Sequence, residues 1–192
     1  MDLDYNNEVI EKIALHFEEI IKLLGEDTSR EGLLKTPMRA AKALYYATNG
    51  YRQNATEIIN QAVFEYAGSK IVIVKDVEFY SFCEHHVLPF FGSVSIGYIP
   101  NGKMIGLSKL ARVVDVFARR LQVQERLTYE VCREIYETLS ACGVIVVCKA
   151  QHLCMKMRGV EKQDSSTTTV EYLGNFATDL KLREEFFSAL KA

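Results

Sequence analysis

Proline is scarce in this chain, with three among 192 residues, and glycine numbers eleven. That excludes a collagenous or low-complexity polypeptide. No apolar run reaches the roughly 18 residues that a membrane-spanning helix needs. The longest, around Val144 to Cys148, suits a buried strand. The opening residues, Met-Asp-Leu-Asp-Tyr-Asn-Asn-Glu, lack the basic segment and apolar stretch of a secretory signal. We therefore expect a cytoplasmic protein with no membrane association. Asn54-Ala55-Thr56 matches a glycosylation acceptor, which means nothing without secretion. Neither sign of charge prevails: 23 Lys and Arg stand against 25 Asp and Glu, for a net charge of −2. A surface built as a whole to attract nucleic acid is excluded, whereas a local basic pocket is not. Neither G-x-x-x-x-G-K-[ST] nor G-x-G-x-x-G occurs, so a bound polyphosphate would be held by side-chain cations. No repeat of roughly 20–50 residues suggests a solenoid or propeller.

What is present is an ordinary globular balance, 48% apolar and 25% charged. The length fits one domain, or one domain with a helical appendage, and buries a core without staples. The five cysteines, Cys83, Cys132, Cys142, Cys148 and Cys154, are an odd number in a reducing compartment. We expect thiols or metal ligands rather than a disulfide framework.

Residues 7–24 read as an amphipathic helix, with Ile10, Ile13, Ala14, Phe17, Ile21 and Leu24 at helical spacing and Gly25 as its stop. Asp27 to Glu31 reads as a turn and helix start. Thr36 as cap and Pro37 in the first turn open a helix over 37–48, which Asn49-Gly50 ends through the left-handed conformation. The first third is thus helical, without a strand signal. The pattern changes near residue 70. Strands are expected over 71–80 and 90–99, the latter with Val94, Ile96 and Tyr98 on one face and Ser93, Ser95 and Gly97 on the other. Ser108 caps a helix whose buried stripe is Leu110, Val113, Val114 and Phe117. A second helix covers about 125–141, closed by Gly143. Strands follow over 144–151 and 167–173, then a helix over about 180–190. Two strand pairs flanking two sequential helices favour an α+β fold, an antiparallel sheet with helices on one face. We divide the chain into a helical region, 1–68, and a catalytic region, 69–192, that includes the last helix.

Three of the four histidines sit close to cysteine. Cys83-Glu84-His85-His86 follows a strand, and His152-Leu153-Cys154 ends another; only His16 stands apart. Thiolate plus imidazole is the donor chemistry zinc prefers. The C-x-x-H spacing lets one loop supply Cys83 and His86, and an extended segment would put His152 and Cys154 on one face. Cys83, His86 and Cys154 give three protein ligands, and three plus water is the catalytic form of a zinc site. His85 and His152 are then left for acid–base work. Cys148 shares the strand face of His152 and is a rival fourth ligand that would close the site. Each piece alone has a plainer reading, since buried cysteines are usually inert core. Cys132 and Cys142 fit that description.

A second cluster is basic. Lys109 and Arg112 lie in the first turns of the Ser108 helix, where cations oppose the helix dipole unless an anion binds there. Arg158 follows Cys154, and Arg39 lies in the Thr36-Pro37 helix. A solvated charged face is the alternative. Gln124-Glu125 offers a carboxylate able to accept two parallel N–H bonds from a guanine-like edge, or simply a first-turn glutamate.

Taken together, five stretches resemble the GTP cyclohydrolase I family. They are Glu31-Gly-Leu-Leu-Lys-Thr-Pro-Met-Arg39, Phe79-Tyr-Ser-Phe-Cys-Glu-His-His86, Ile105-Gly-Leu-Ser-Lys-Leu-Ala-Arg112, Arg120-Leu-Gln-Val-Gln-Glu-Arg-Leu-Thr128 and Gln151-His-Leu-Cys-Met-Lys-Met-Arg-Gly159. They run in family order, and the similarity covers nearly the whole chain. The resemblance implies the tunnelling fold, with four antiparallel strands and two sequential helices per subunit. It also implies a homodecamer of two stacked pentameric rings with active sites between subunits. Such closure would remove the open edges of a four-stranded sheet. The implied zinc ligands are Cys83, His86 and Cys154. The implied reaction is zinc-assisted water attack on carbon 8 of the guanine of GTP. Formate is released, and a rearrangement gives 7,8-dihydroneopterin triphosphate, at the head of pterin and tetrahydrofolate biosynthesis. His152 would protonate the neighbouring ring nitrogen with help from His85. Glu125, with Gln124 beside it, would read the guanine edge. Ser108, Lys109, Arg112, Arg158 and Arg39 would hold the ribose and triphosphate, some from a neighbouring subunit. Residues 163–169 receive no role. No N-terminal regulatory extension is expected.

Two other readings fit the residues. One is a tunnelling-fold enzyme acting on a pterin or deazaguanine, since fold does not fix function. The other is a zinc-stabilised oligomer or binding module with Cys148 as fourth ligand.

Overall fold

Residues 6–192 are described by a computed structural model. The chain divides at Asn49/Gly50 into two units. The helical region drawn to residue 68 therefore spans the first unit and the start of the second.

In the first unit, α1 (Asn7–Leu23) starts where the Asn6 side chain accepts the Val9 N–H at 3.2 Å, satisfying an otherwise orphaned donor. Ile10 and Ala14 pack against Ala41 and Tyr45 of α2 (Thr36–Ala47), with Ile13 and Phe17 alongside. Leu24 lies past the helix end and is exposed. Asp27 to Glu31 forms turns rather than a helix start, with Asp27 Oδ1 accepting both Ser29 N–H and Ser29 Oγ–H. Thr36 is the first helical residue and not the cap; its hydroxyl donates back to Gly32 O. Pro37 occupies the first turn, where a missing N–H costs nothing. Asn49 and Gly50 are not left-handed; they open a 3-10 turn, Asn49–Arg52.

In the second unit, Gly50 is needed for close approach. A Cβ there would lie 2.1 Å from Val116 O, and its N–H donates to Arg119 O at 3.0 Å. α3 (Ala55–Asn60) is capped by Asn54. β1 (Val63–Glu65), which the sequence did not suggest, pairs with β4 (Lys103–Ile105). The main sheet contains β2 (Val72–Cys83), β3 (Leu88–Ile99), β6 (Gly143–His152) and β7 (Thr167–Gly174), antiparallel in that spatial order. These are the four strands expected. A two-residue fifth strand, β5 (Leu121–Gln122), runs parallel to the end of β2, with Cys83 opposite Gln122.

α4 (Leu107–Ala118) and α5 (Gln124–Leu139) lie between β3 and β6 in sequence and cover one face of the sheet. Leu110, Val113, Val114 and Phe117 of α4 meet Phe79, Val94, Ile96 and Tyr98 in the core, as their spacing required. Gly106, not Ser108, stands at the α4 cap; Ser108 is already inside the first turn and exposed. α5 ends at Ser140, left-handed at φ 49°, while Gly143 begins β6. The other face of β3 is not solvated throughout. Ile99 and Ile145 pack with Phe176 of α7 (Asn175–Thr178) and Phe186 of α8 (Leu180–Lys191). Gly97 faces this second core: a Cβ there would lie 2.7 Å from the Phe186 ring. No helix among the described residues is long and apolar enough to cross a membrane. The result is an α+β fold. Its first sheet face carries two sequential helices, and the ends of β2 and β6 meet the start of α5 at one end of the sheet.

Candidate metal centre and its surroundings

Cys83 is the last residue of β2. Its carbonyl accepts from His86 N at 3.3 Å and Val87 N at 2.8 Å, so the chain reverses tightly. Val87 sits at φ 53°, a region that β-branched residues rarely adopt. The turn brings both histidines back over the thiol: Cys83 Sγ lies 3.7 Å from His85 Nδ1 and 3.9 Å from His86 Nδ1. Cys154 comes from the other side. β6 ends at His152 and a single helical turn, α6 (Leu153–Lys156), follows. His152 and Cys154 therefore do not share an extended segment, as their spacing had suggested. The bend at Leu153 turns the Cys154 thiol to the β2 end instead. The donor atoms of Cys83, His86 and Cys154 all lie within 4.8 Å of one another. Cys83 is buried, Cys154 half-buried and His86 exposed, so the cluster opens on one side. Burial pushes the Cys154 thiol up, the neighbouring Cys83 adds to this, and the Arg158 charge opposes it. A Cys154 thiol held protonated in this way is what a bound divalent cation would deprotonate.

Cys148, the rival fourth ligand, is not in this cluster. It is fully buried in the sheet–helix core, where burial pushes its thiol up to about 12 against the opposing effect of the neighbouring Thr128 and Thr169 hydroxyls. Cys132 is likewise pushed up to about 12 by burial. Both are core thiols.

His152 stacks flat on Phe90, its cross-strand partner, with centroids 4.6 Å apart and 2° between planes. Its Nε2 lies 2.8 Å from Gln124 Oε1. Burial holds the ring below the usual histidine range, while the nearby Glu125 charge works the other way. Gln124 is 2% exposed. Its Nε2 donates to Cys148 O at 3.0 Å, Thr167 O at 3.1 Å and Thr169 Oγ1 at 3.2 Å. Glu125 is exposed in the first turn of α5.

The structure thus brings together Cys83, His85, His86 and Cys154, with Arg158 close to Cys154, and separately joins His152, Gln124 and Glu125. Ser108, Lys109 and Arg112 stand on α4; Lys109 Nζ donates to Gln61 Oε1 at 2.7 Å. None of the hydrogen bonds or ion pairs among the described residues links these three to the cysteine–histidine cluster. Arg39 is exposed on α2 of the first unit.

Several supporting residues escaped the sequence reading. Arg126 donates to Glu84 Oε2 at 2.5 Å, to Gln122 Oε1 at 2.7 Å and to Leu121 O at 2.9 Å. This fastens the Cys83–His86 loop to the start of α5. Thr128 donates to Gln124 O at 2.8 Å and meets Thr169 Oγ1 at 2.6 Å. The i,i+4 spacing of Gln124 and Thr128 was a usable signal. The Thr169 contact, from a distant strand, had none.

The chain is similar to known proteins along nearly its whole length. The sequence profile of the GTP cyclohydrolase I family matches residues 13–191. The chain is similar to GTP cyclohydrolase 1 of Porphyromonas gingivalis, 54% identical over 183 residues, which is 95% of this chain and 94% of that one. It is 55% identical over 175 residues to GTP cyclohydrolase 1 of Pseudoalteromonas translucida, covering 91% and 95%. With that of Bacteroides fragilis it shares 53% identity over 182 residues, covering 95% and 93%. The chain belongs to the GTP cyclohydrolase I family, and it is an enzyme of that family.

Proposed function

We propose that this enzyme converts GTP to 7,8-dihydroneopterin triphosphate with release of formate, and that it depends on zinc. The observation that carries the proposal is the three-donor cluster of Cys83, His86 and Cys154, set close to His85 in a chain of this family. Two thiols and one imidazole suit a borderline-soft divalent ion, and three protein donors leave a fourth position open. Zinc held there supplies a water that ionises near neutral pH.

The chain's own residues supply the rest. His152, half-buried against Phe90, donates a proton to the guanine ring nitrogen beside the carbon that is hydrolysed. His85, 3.7 Å from the Cys83 thiol, assists proton transfer at the cluster. The Glu125 carboxylate accepts two N–H bonds from the guanine edge, with Gln124 behind it. Ser108, Lys109, Arg112, Arg158 and Arg39 hold the ribose and triphosphate, some of them from a neighbouring subunit. The positive end of the α4 dipole favours an anion there. We further propose a cytoplasmic homodecamer with sites shared between subunits, feeding pterin and tetrahydrofolate synthesis.

The test is purified protein with GTP, followed by formate release and by absorbance of the dihydropterin, with and without chelator. Formate and the new chromophore, lost on chelation and restored by zinc, are expected. Metal-loaded protein that leaves GTP unchanged but consumes a pterin would replace this function with the alternative enzyme.

A further inference from the structure

We infer that Gln124 is a positioning residue that fixes the tautomer of His152, so that His152 exchanges its proton through Nδ1. The inference rests on the acid–base role proposed for His152 above. It starts from which end of the Gln124 amide is which. One amide atom lies within hydrogen-bond reach of Cys148 O, Thr167 O and Thr169 Oγ1. Two of these are backbone carbonyls, which only accept. The atom facing them must be the NH2 group, because the flipped amide would press its oxygen against two carbonyl oxygens inside the core.

The hydroxyls complete the order. Thr128 donates to Gln124 O at 2.8 Å, so its single hydrogen is committed. The 2.6 Å contact between Thr128 and Thr169 is then donated by Thr169. The Thr169 oxygen stays free to accept from Gln124 Nε2. The two amide hydrogens of Gln124 are shared among three groups that can all accept. At the other end of the amide stands Gln124 Oε1, which only accepts, 2.8 Å from His152 Nε2. Nε2 must therefore carry a hydrogen whether the ring is neutral or charged. Nδ1 makes no hydrogen bond among the described residues. Nδ1 is then the ring atom left to take up or give up a proton. The Gln124 oxygen accepts from Nε2–H in either protonation state and holds the ring in place. The same geometry assigns Gln124 an indirect part in guanine reading, because it is 2% exposed and both ends of its amide are already bonded within the protein.

The experiment is imidazole nitrogen NMR of the full-length, zinc-loaded protein labelled at histidine. There are four histidines, and His152→Asn identifies the His152 signal by its loss. The neutral Nε2–H tautomer is expected for the wild type, and a neutral Nδ1–H tautomer would overturn the inference. This readout needs no GTP and no variant at Gln124, so failure of GTP turnover would overturn the proposed function alone. Steady-state kinetics supply the second arm. Gln124→Met removes the acceptor, and kcat is expected to fall by about tenfold to a hundredfold. KM for GTP and zinc content should stay near wild type. A raised KM with kcat unchanged would make Gln124 a direct guanine reader and overturn its positioning role.

Discussion

Cys148 and Cys154 lie a few residues apart, yet they inhabit opposite environments. Cys148 is inside β6, under α5, with Thr128 and Thr169 around it. Cys154 is beyond the strand end, half-buried, with a second thiol and an imidazole within 4.8 Å. The strand interior makes a thiol an inert core residue, whereas the strand end makes it a donor. What separates the two is where β6 stops. His152 is its last residue, and the helical turn from Leu153 swings the chain toward the end of β2. The wider lesson is that cysteine content does not locate a donor cluster such as Cys83, His86 and Cys154; it forms at strand ends, where backbone pairing ceases and side chains converge.

The largest effect should come from breaking this contrast at its exposed end. Cys154→Ala should lower bound zinc and formate release by at least about a hundredfold. Cys148→Ala should keep both near wild type while costing about 1–2 kcal/mol of stability in chemical denaturation. Metal analysis and the formate assay on the two variants decide the matter; equal losses would erase the contrast.

Glu125→Gln comes next. Removing its charge should raise KM for GTP about tenfold or more, the equivalent of a charge-assisted hydrogen bond worth about 1.5–3 kcal/mol. Zinc content should not change, and a variant that loses zinc would place Glu125 in the metal centre instead of beside it.

Thiol labelling sharpens the comparison without mutation. In the metal-free native protein, half-buried Cys154 should react well before Cys132 and Cys148, which are buried and pushed up to about 12. Added zinc should protect Cys154 and leave the labelling of the two core thiols unchanged, as mass spectrometry of the labelled peptides would show.

The smallest effect is on alkaline stability. The two core thiols hold their protons more tightly folded than unfolded, against the ordinary value of 9.0. Their contribution is intact below 9.0. It is lost as pH rises from there toward about 12, because the unfolded chain ionises first. Melting temperature should therefore fall less steeply with alkaline pH in Cys148→Ala than in wild type. Identical slopes would mean that this thiol does not contribute.

The long elements were legible in the sequence because their faces differ. Ile10 and Ala14, or Leu110, Val113 and Val114, can only be buried on a helix of that period. The short elements were not. β1 and β4 have three residues each and β5 two, too few for a period to show. Ser108 has the chemistry of a cap, but the chain enters α4 through Gly106, whose N–H is already held by Ala62 O at 2.9 Å. At the site, the donor residues stood out because almost all the histidine gathers beside cysteine. The expectation that His152 and Cys154 share a strand face failed on where the strand ends. The Gln124–Thr169–Thr128 order was beyond reach, because it joins a helix to a strand with nothing in either segment to announce the pairing.

The proposed centre takes two thiolates and one imidazole and leaves the core thiol out. X-ray absorption of the zinc-loaded enzyme tests it most directly. Two sulfur neighbours at about 2.3 Å and two nitrogen or oxygen neighbours at about 2.0–2.1 Å are expected. Three sulfur neighbours would bring Cys148 into a closed, structural site and contradict it.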